Sequence, residues 1–478
     1  MRSPRRFPLF ILVGTALIGS GCGGGGSSAS GGTGGAGGNT PPPSTANEWT
    51  WTSGSNLTDA VGNYGAQGVA SASNVPGARS DAVSWTDTSG NLWLFGGSGY
   101  DSAGSNGALS DLWEFSPTTK EWTWVSGSDA ANAVGIYGTQ GVASTGNTPG
   151  GRDSAVGWTD KNGDFWLYGG FGYSATSSSS DLNDLWEFNP STREWTWVSG
   201  SDTINAVGIY GTPGVASASN VPGARIGSVR WIDSSGNLWL FGGSGLDSKG
   251  TPGDLNDLWE FSPTAKTWTW VGGSETANAY GVYGSQGVAS PGNTPGGRDS
   301  SVSWTDSSGN LWLYGGLGYS ATSNGYYLSD LWEFNPSTKE WTWVNGSTAG
   351  TVAPVYGAQG IAAATNTPGS RDSAVGWTDS SDDLWLFGGC CAADYLFNDL
   401  WEFNPSTKEW TWVSGSNSTR AKGVYGTLGV AAPDNVPGSR GGSVSWMDTS
   451  GNLWLFGGEG ADSVGSGGVL NDLWRYQP

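Results

Sequence analysis

The sequence predicts an all-β fold of six repeated units, each a sheet of four antiparallel strands, and three observations predict it. The first is composition: 83 of 478 residues are Gly and 30 are Trp, with only 13% charged. That is too aromatic for disorder and too rich in Gly for a helical protein. The second is period. Double glycines fall at Gly96-Gly97, Gly169-Gly170, Gly242-Gly243, Gly315-Gly316, Gly388-Gly389 and Gly457-Gly458, spaced by 73 residues four times and then by 69. A fixed period marks a repeat architecture and outranks local readings. The third is that every Trp falls in one frame: Trp85, Trp93, Trp113, Trp122 and Trp124 fill the five positions of one unit, and the remaining units copy them.

Within a unit, four pieces read as strands. In the second unit they are Arg152 to Trp158, Phe165 to Tyr168, Asp184 to Phe188 and Glu194 to Val198. Each is a short run rich in aromatic and β-branched residues, punctuated by Gly, Pro, Asn or Asp. The Phe-Trp-Leu-Tyr piece is apolar without alternation, as a strand covered on both faces should be. Asp87-Thr88-Ser89-Gly90-Asn91 and Asn189-Pro190-Ser191-Thr192-Arg193, with their copies, supply tight turns. Burying one indole removes on the order of 200 Å² from water, roughly 5 kcal/mol before entropy, so packing between sheets is the expected use of the tryptophans.

The chain ends point to closure. It finishes on a third strand, Asp472 to Tyr476, and begins its repeats on a fourth, Glu48 to Trp51. The N-terminal strand is expected to complete the last unit, which removes the open edges of a linear stack. The predicted architecture is a six-bladed β-propeller over residues 48–478.

These residues resemble the kelch repeat: a double glycine after an apolar strand, then an aromatic and a Trp several residues apart. The pairs are Phe115 and Trp122, Phe188 and Trp195, Phe261 and Trp268, Phe334 and Trp341, Phe403 and Trp410, with Tyr476 and Trp49 across the closure. Phe stands where the family commonly has Tyr, and the period exceeds the usual kelch length of about 50 residues. The resemblance implies a propeller that binds partners on one face. It extends to galactose oxidase, whose copper site uses histidines and a cysteine–tyrosine crosslink.

Residues 1–21 read as a signal peptide. Arg2, Arg5 and Arg6 precede an apolar stretch from Phe7 to Ile18, too short to span a membrane. Leu17-Ile18-Gly19-Ser20-Gly21-Cys22 resembles a bacterial lipoprotein signal, which implies lipidation of Cys22; Gly19 stands where that pattern usually has Leu. Gly23 lacks the Asp of a retention signal, so the expected home is the outer membrane, reached through the lipid anchor only. Residues 22–47, rich in Gly, Ser and Pro, read as a tether of roughly 25–30 Å.

Several function classes are set aside. The net charge of −21 repels nucleic-acid phosphates. With no His in the chain, Ser-His-Asp chemistry and His-ligated metals are excluded. No cofactor is expected, and the chain is read as a monomer. A disulfide framework is not expected from three cysteines; Cys390 and Cys391, being adjacent, can close only a strained ring and are read as a local structural feature.

Two sets of candidate ligand contacts remain. The connections from strand two to strand three vary between units and carry Tyr100, Tyr173, Tyr319, Tyr326, Tyr327 and Tyr395. Exposed aromatics there would stack on sugars or anchor a protein. The connections from strand four to the next strand one, such as 126–151, are near copies of one another and are read as a structural cover for the blade tops. Both long connections are expected on one face, with the short turns on the other. Arg79, Arg152, Arg225, Arg298, Arg371 and Arg440 open each first strand. They are expected either to pair with neighbouring acids, among them Asp81, Asp153, Asp299 and Asp372, or to ring a channel mouth as an anion site. The turn from Asp87 to Asn91, followed by Trp93, faintly resembles the Asp-box hairpin of sialidases and is read as turn chemistry. The expected function is a cell-surface module that binds an unidentified protein or polysaccharide without catalysis. The alternatives are a carbohydrate-active enzyme, with paired carboxylates in place of copper, and a purely structural envelope or adhesion protein.

Overall fold

The computed structural model describes residues 46–391 and 395–478. The predicted signal peptide, Cys22 and nearly all of the tether lie outside the described residues.

The described chain is all-β, without helix, and propeller-like. Six sheets of one plan recur among the described residues. In the second, Val156–Thr159, Phe165–Tyr173, Ser179–Asn189 and Glu194–Ser199 pair in that order, all antiparallel. A two-residue piece, Arg152–Asp153, precedes the first strand and pairs with the far end of the second. The break between the two pieces is opposite the double glycine. Gly169 and Gly170 have φ of +65° and +97°, which L side chains rarely adopt. A Cβ on Gly169 would lie 2.9 Å from the Arg225 carbonyl oxygen of the next unit, and one on Gly170 2.6 Å from that of Asp153. The double glycine is therefore where the strand bulges and its neighbour approaches.

The sixth sheet contains Val444–Met447, Leu453–Ala461 and Gly467–Gln477, and its outer strand is Glu48–Ser53. Trp49 pairs with Tyr476 and Trp51 with Trp474, the same register as Trp195 with Phe188 and Trp197 with Trp186 in the second sheet.

Packing between sheets is aromatic, as the Trp frame predicts. Each of six apolar clusters draws on two neighbouring sheets, and one of them joins Leu92, Trp113 and Phe115 of the first to Trp454 and Phe456 of the sixth. Trp85 Nε1 donates to the Trp166 carbonyl (3.1 Å), Trp158 to Trp239 (3.1 Å) and Trp446 to Trp93 (3.1 Å).

The four-to-one connections do not sit over the sheet tops as expected. They fold down the outer edge of the following sheet. Gly68 N donates to Trp124 O (2.8 Å) and Ser71 N to Trp122 O (3.2 Å), with the same bonds at Gly141 and Ser144. Asn74 Nδ2 locks the loop to the Val69 and Trp122 carbonyls. The connection thus satisfies an outer edge that would otherwise invite pairing with another chain.

Candidate functional site

The six arginines do not ring an open mouth. Each is buried and turned into its own sheet, and its partner is not the expected neighbour (Asp81, Asp153, Asp299 or Asp372) but the Asp before the Leu-Trp of the third strand. Arg152 Nη1 and Nη2 meet Asp184 Oδ1 and Oδ2 at 2.7 and 2.8 Å; Nη1 also donates to Gly169 O, and Nε to Gly150 O. Asp184 Oδ2 further accepts from Tyr137 Oη (2.6 Å) and Trp186 Nε1 (2.7 Å). The same Arg–Asp pair is built by Arg79 with Asp111, Arg225 with Asp257, Arg298 with Asp330, Arg371 with Asp399 and Arg440 with Asp472. Burial opposes the charge on Arg152, and the Asp184 carboxylate more than restores it. Burial, and then the Asp184 charge, push Tyr137 far above the ordinary phenol range. Such a group holds a scaffold and offers nothing to a ligand. One signal for it was present in the sequence: the Asp before each Leu-Trp of strand three recurs with the Arg, unit by unit.

Two residues beyond each arginine the backbones meet. Asp81 N donates to Gly442 O, Gly442 to Ser373, Ser373 to Ser300, Ser300 to Gly227, Gly227 to Ser154 and Ser154 to Asp81, at 2.7 to 3.0 Å. All six residues have φ between 54° and 65°. Four of them are not glycine, a strain retained only where the surroundings impose it. Beside this collar, burial raises Asp81 to about 6 and, with the Asp81 charge adding, Asp153 to about 7.

The candidate tyrosines separate. Tyr326 (48% exposed) and Tyr395 (46%) are open, whereas Tyr100, Tyr173, Tyr319 and Tyr327 are half-buried. The open pair lie on the two-to-three connections of the fourth and fifth sheets. Tyr280, on the connection into the fourth sheet, joins them at 49% exposure and stands edge-on to Tyr319 at 5.3 Å. The Arg420 guanidinium lies 5.4 Å from the Tyr395 ring. The two kinds of long connection meet where the four-to-one connection leaves its sheet: Ser102 N donates to Asp129 O, and Ala131 N to Asp101 Oδ2.

Cys390 and Cys391 are not joined in a disulfide; the first is buried and the second half-buried. They form a short strand against Tyr395–Leu396, and burial raises the Cys391 thiol.

On the short-turn side, Asp87 accepts from Ser89 N, Asn91 N, Asn91 Nδ2 and Trp93 Nε1, so this acid is consumed by its turn, as read. In the second and fifth sheets Asp replaces that Asn. Asp160, Asp164 and Glu187, and likewise Asp379, Asp383 and Glu402, bring carboxylate oxygens within 4.8 Å of one another. These are the groups that could hold a divalent cation. The two trios differ: Lys266 Nζ reaches Glu187 Oε2 at 2.5 Å, whereas Asn47 occupies the Lys266 position beside the fifth sheet. Burial, and then Asp383, raise Glu402 to about 7.

No protein-family model matches the chain, and no curated protein matches it as a relative.

Proposed function

We propose that the chain is a closed six-bladed propeller of kelch type, exported and anchored through Cys22 to the outer membrane. In this reading it is a surface module that holds a protein or polysaccharide on its loop-rich face without catalysis. Closure is supported by the pairing of Glu48–Ser53 with Gly467–Gln477 and by the six-membered hydrogen-bond collar. The kelch reading rests on the double glycine and the Phe–Trp pairs, and the anchor rests on the residues before Cys22.

The observation that carries binding is the uneven distribution of open aromatics. The six scaffolds are near copies, yet among the described residues the exposed tyrosines, Tyr280, Tyr326 and Tyr395, all fall on the connections of the fourth and fifth sheets. A rigid body with open aromatics on one part of its loops is the arrangement expected of a recognition surface.

The test is a glycan-array and pull-down screen with the full chain and with a Tyr280→Ala/Tyr326→Ala/Tyr395→Ala triple variant. Capture that falls at least tenfold in the variant supports the loop face. Equal capture by both proteins contradicts it. Lipidation is tested by labelled-palmitate incorporation, which Cys22→Ala should abolish.

A further inference from the structure

The backbone of the four-to-one connections covers sheet edges, but side chains on its outer surface are left without a covering role. In the second sheet, the Trp197 indole is half-buried. Tyr137 stands edge-on to it at 5.2 Å, and its Nε1 donates to Ser199 O. The rest of the ring lines a cleft of about 460 Å³. The connection into the third sheet also lines it, with Val207 (47% exposed) and Ile209 (54%), and Gln140 and Asp202 supply polar groups.

This connection is fixed in place. Buried Asn183 donates from Nδ2 to Pro222 O (3.2 Å) and accepts from Ser201 N (3.0 Å). Gln140 has no hydrogen-bond partner among the described residues. Its counterparts Gln286 and Gln359 donate to the Val344 and Val413 carbonyls.

The cleft restricts what can occupy it. Its volume falls in the range of small-ligand sites, roughly 300–1,000 Å³. No Lys or Arg lines it, and the chain carries a net charge of −21, so polyanions are repelled. A peptide adding as a strand needs a free sheet edge. Here Trp197 O and Trp195 O already accept from Gly141 N and Ser144 N. What the cleft offers is part of an indole, two aliphatic side chains, one free amide and one carboxylate. A neutral pyranose matches that set, with an apolar C–H face for the rings and hydroxyls for the amide and carboxylate.

We propose that the cleft lined by Trp197, Val207 and Ile209 binds a segment of a neutral polysaccharide at the outer rim. This deepens the binding-module reading but places the sugar on a different surface from the exposed tyrosines, so the two can fail separately. Half-buried Trp51, Trp124, Trp270, Trp343 and Trp412 hold the matching position in the other sheets.

The experiment is calorimetric titration of the full chain with cellohexaose, maltohexaose and mannohexaose, paired with hydroxyl-radical footprinting. The expected result is binding of at least one hexasaccharide at millimolar concentration or below, with Trp197 and Ile209 protected. Ile209→Asp and Gln140→Ala, both at exposed positions that leave folding intact, should weaken it at least tenfold, and Tyr326→Ala should not. Protection of Tyr326 and Tyr395 instead of the rim overturns this inference and leaves the loop-face reading standing. Absence of binding by all three sugars, or occupation of the cleft by a protein ligand alone, also overturns it.

Discussion

The second and fifth sheets are built on one frame, and they differ around the buried ion pair. In the second, every guanidinium nitrogen of Arg152 is bonded, including Nε to Gly150 O. In the fifth, Arg371 keeps both contacts to Asp399 and the bond to Gly388 O, and Nη2 gains one to Pro368 O, but its Nε has no partner. Gly135 of the second sheet is replaced by Pro354. A Cβ at Gly135 would lie 2.7 Å from Tyr137 Cε2, and Gly135 N donates to Ser174 O; proline has the bulk and lacks the donor. Gly369 responds with φ +75°, and the Tyr356 hydroxyl stands 2.9 Å from Asp399 where Tyr137 stands 2.6 Å from Asp184. The ion pair survives this distortion, while the Nε bond is lost and Nη2 turns to the Pro368 carbonyl instead. Paired charge therefore dominates the interior, and the neutral bonds around it adjust.

Replacing the arginine should have the largest effect. Arg152→Met leaves Asp184 buried without its cation and should lose about 3–5 kcal/mol in denaturant melts. Arg371→Met should lose less, because its Nε is already unpartnered and the Tyr356 hydroxyl stands farther from Asp399. Equal losses would break the comparison. Next is Gly135→Pro, which imposes the fifth sheet's defect on the second and should cost about 2 kcal/mol.

The trios of carboxylates sharpen the comparison through pH. Glu402, raised from about 4.5 to about 7, binds its proton more tightly in the folded chain. In buffer free of divalent cations it should favour folding fully below about pH 4.5, and this contribution should be lost as pH rises through about 7. Asn47→Lys, which restores the cation beside it, should lower the Glu402 midpoint, as read by carboxyl chemical shifts. An unchanged midpoint would mean that burial alone sets it. The smallest effect belongs to the surface: Tyr326→Ala and Tyr395→Ala should each move stability by less than about 0.5 kcal/mol.

The repeat, the strands and the pairing of the chain ends were legible in the sequence because glycine pairs and tryptophans mark fixed points of each unit. The Arg–Asp–Tyr–Trp network was only half legible. Arg152 was singled out, but Asp184 lies 32 residues on, and no spacing rule says which acid folds against it. Tyr137 was visible as part of a repeated loop, yet only the folded path shows its hydroxyl meeting Asp184. Tyr326 and Tyr173 look alike as loop aromatics. They differ in exposure only once folded, which one-dimensional pattern does not report.

The most direct test removes residues 48–51 from the full chain and follows thermal unfolding. Trp49 is 2% exposed and lies 5.0 Å from the Tyr476 ring and 5.4 Å from Phe387 of the neighbouring sheet. A ring closed by this strand predicts a large fall in melting temperature and loss of a single sharp transition across all sheets. A truncated chain that melts at the unaltered temperature, with equal sharpness, would contradict closure.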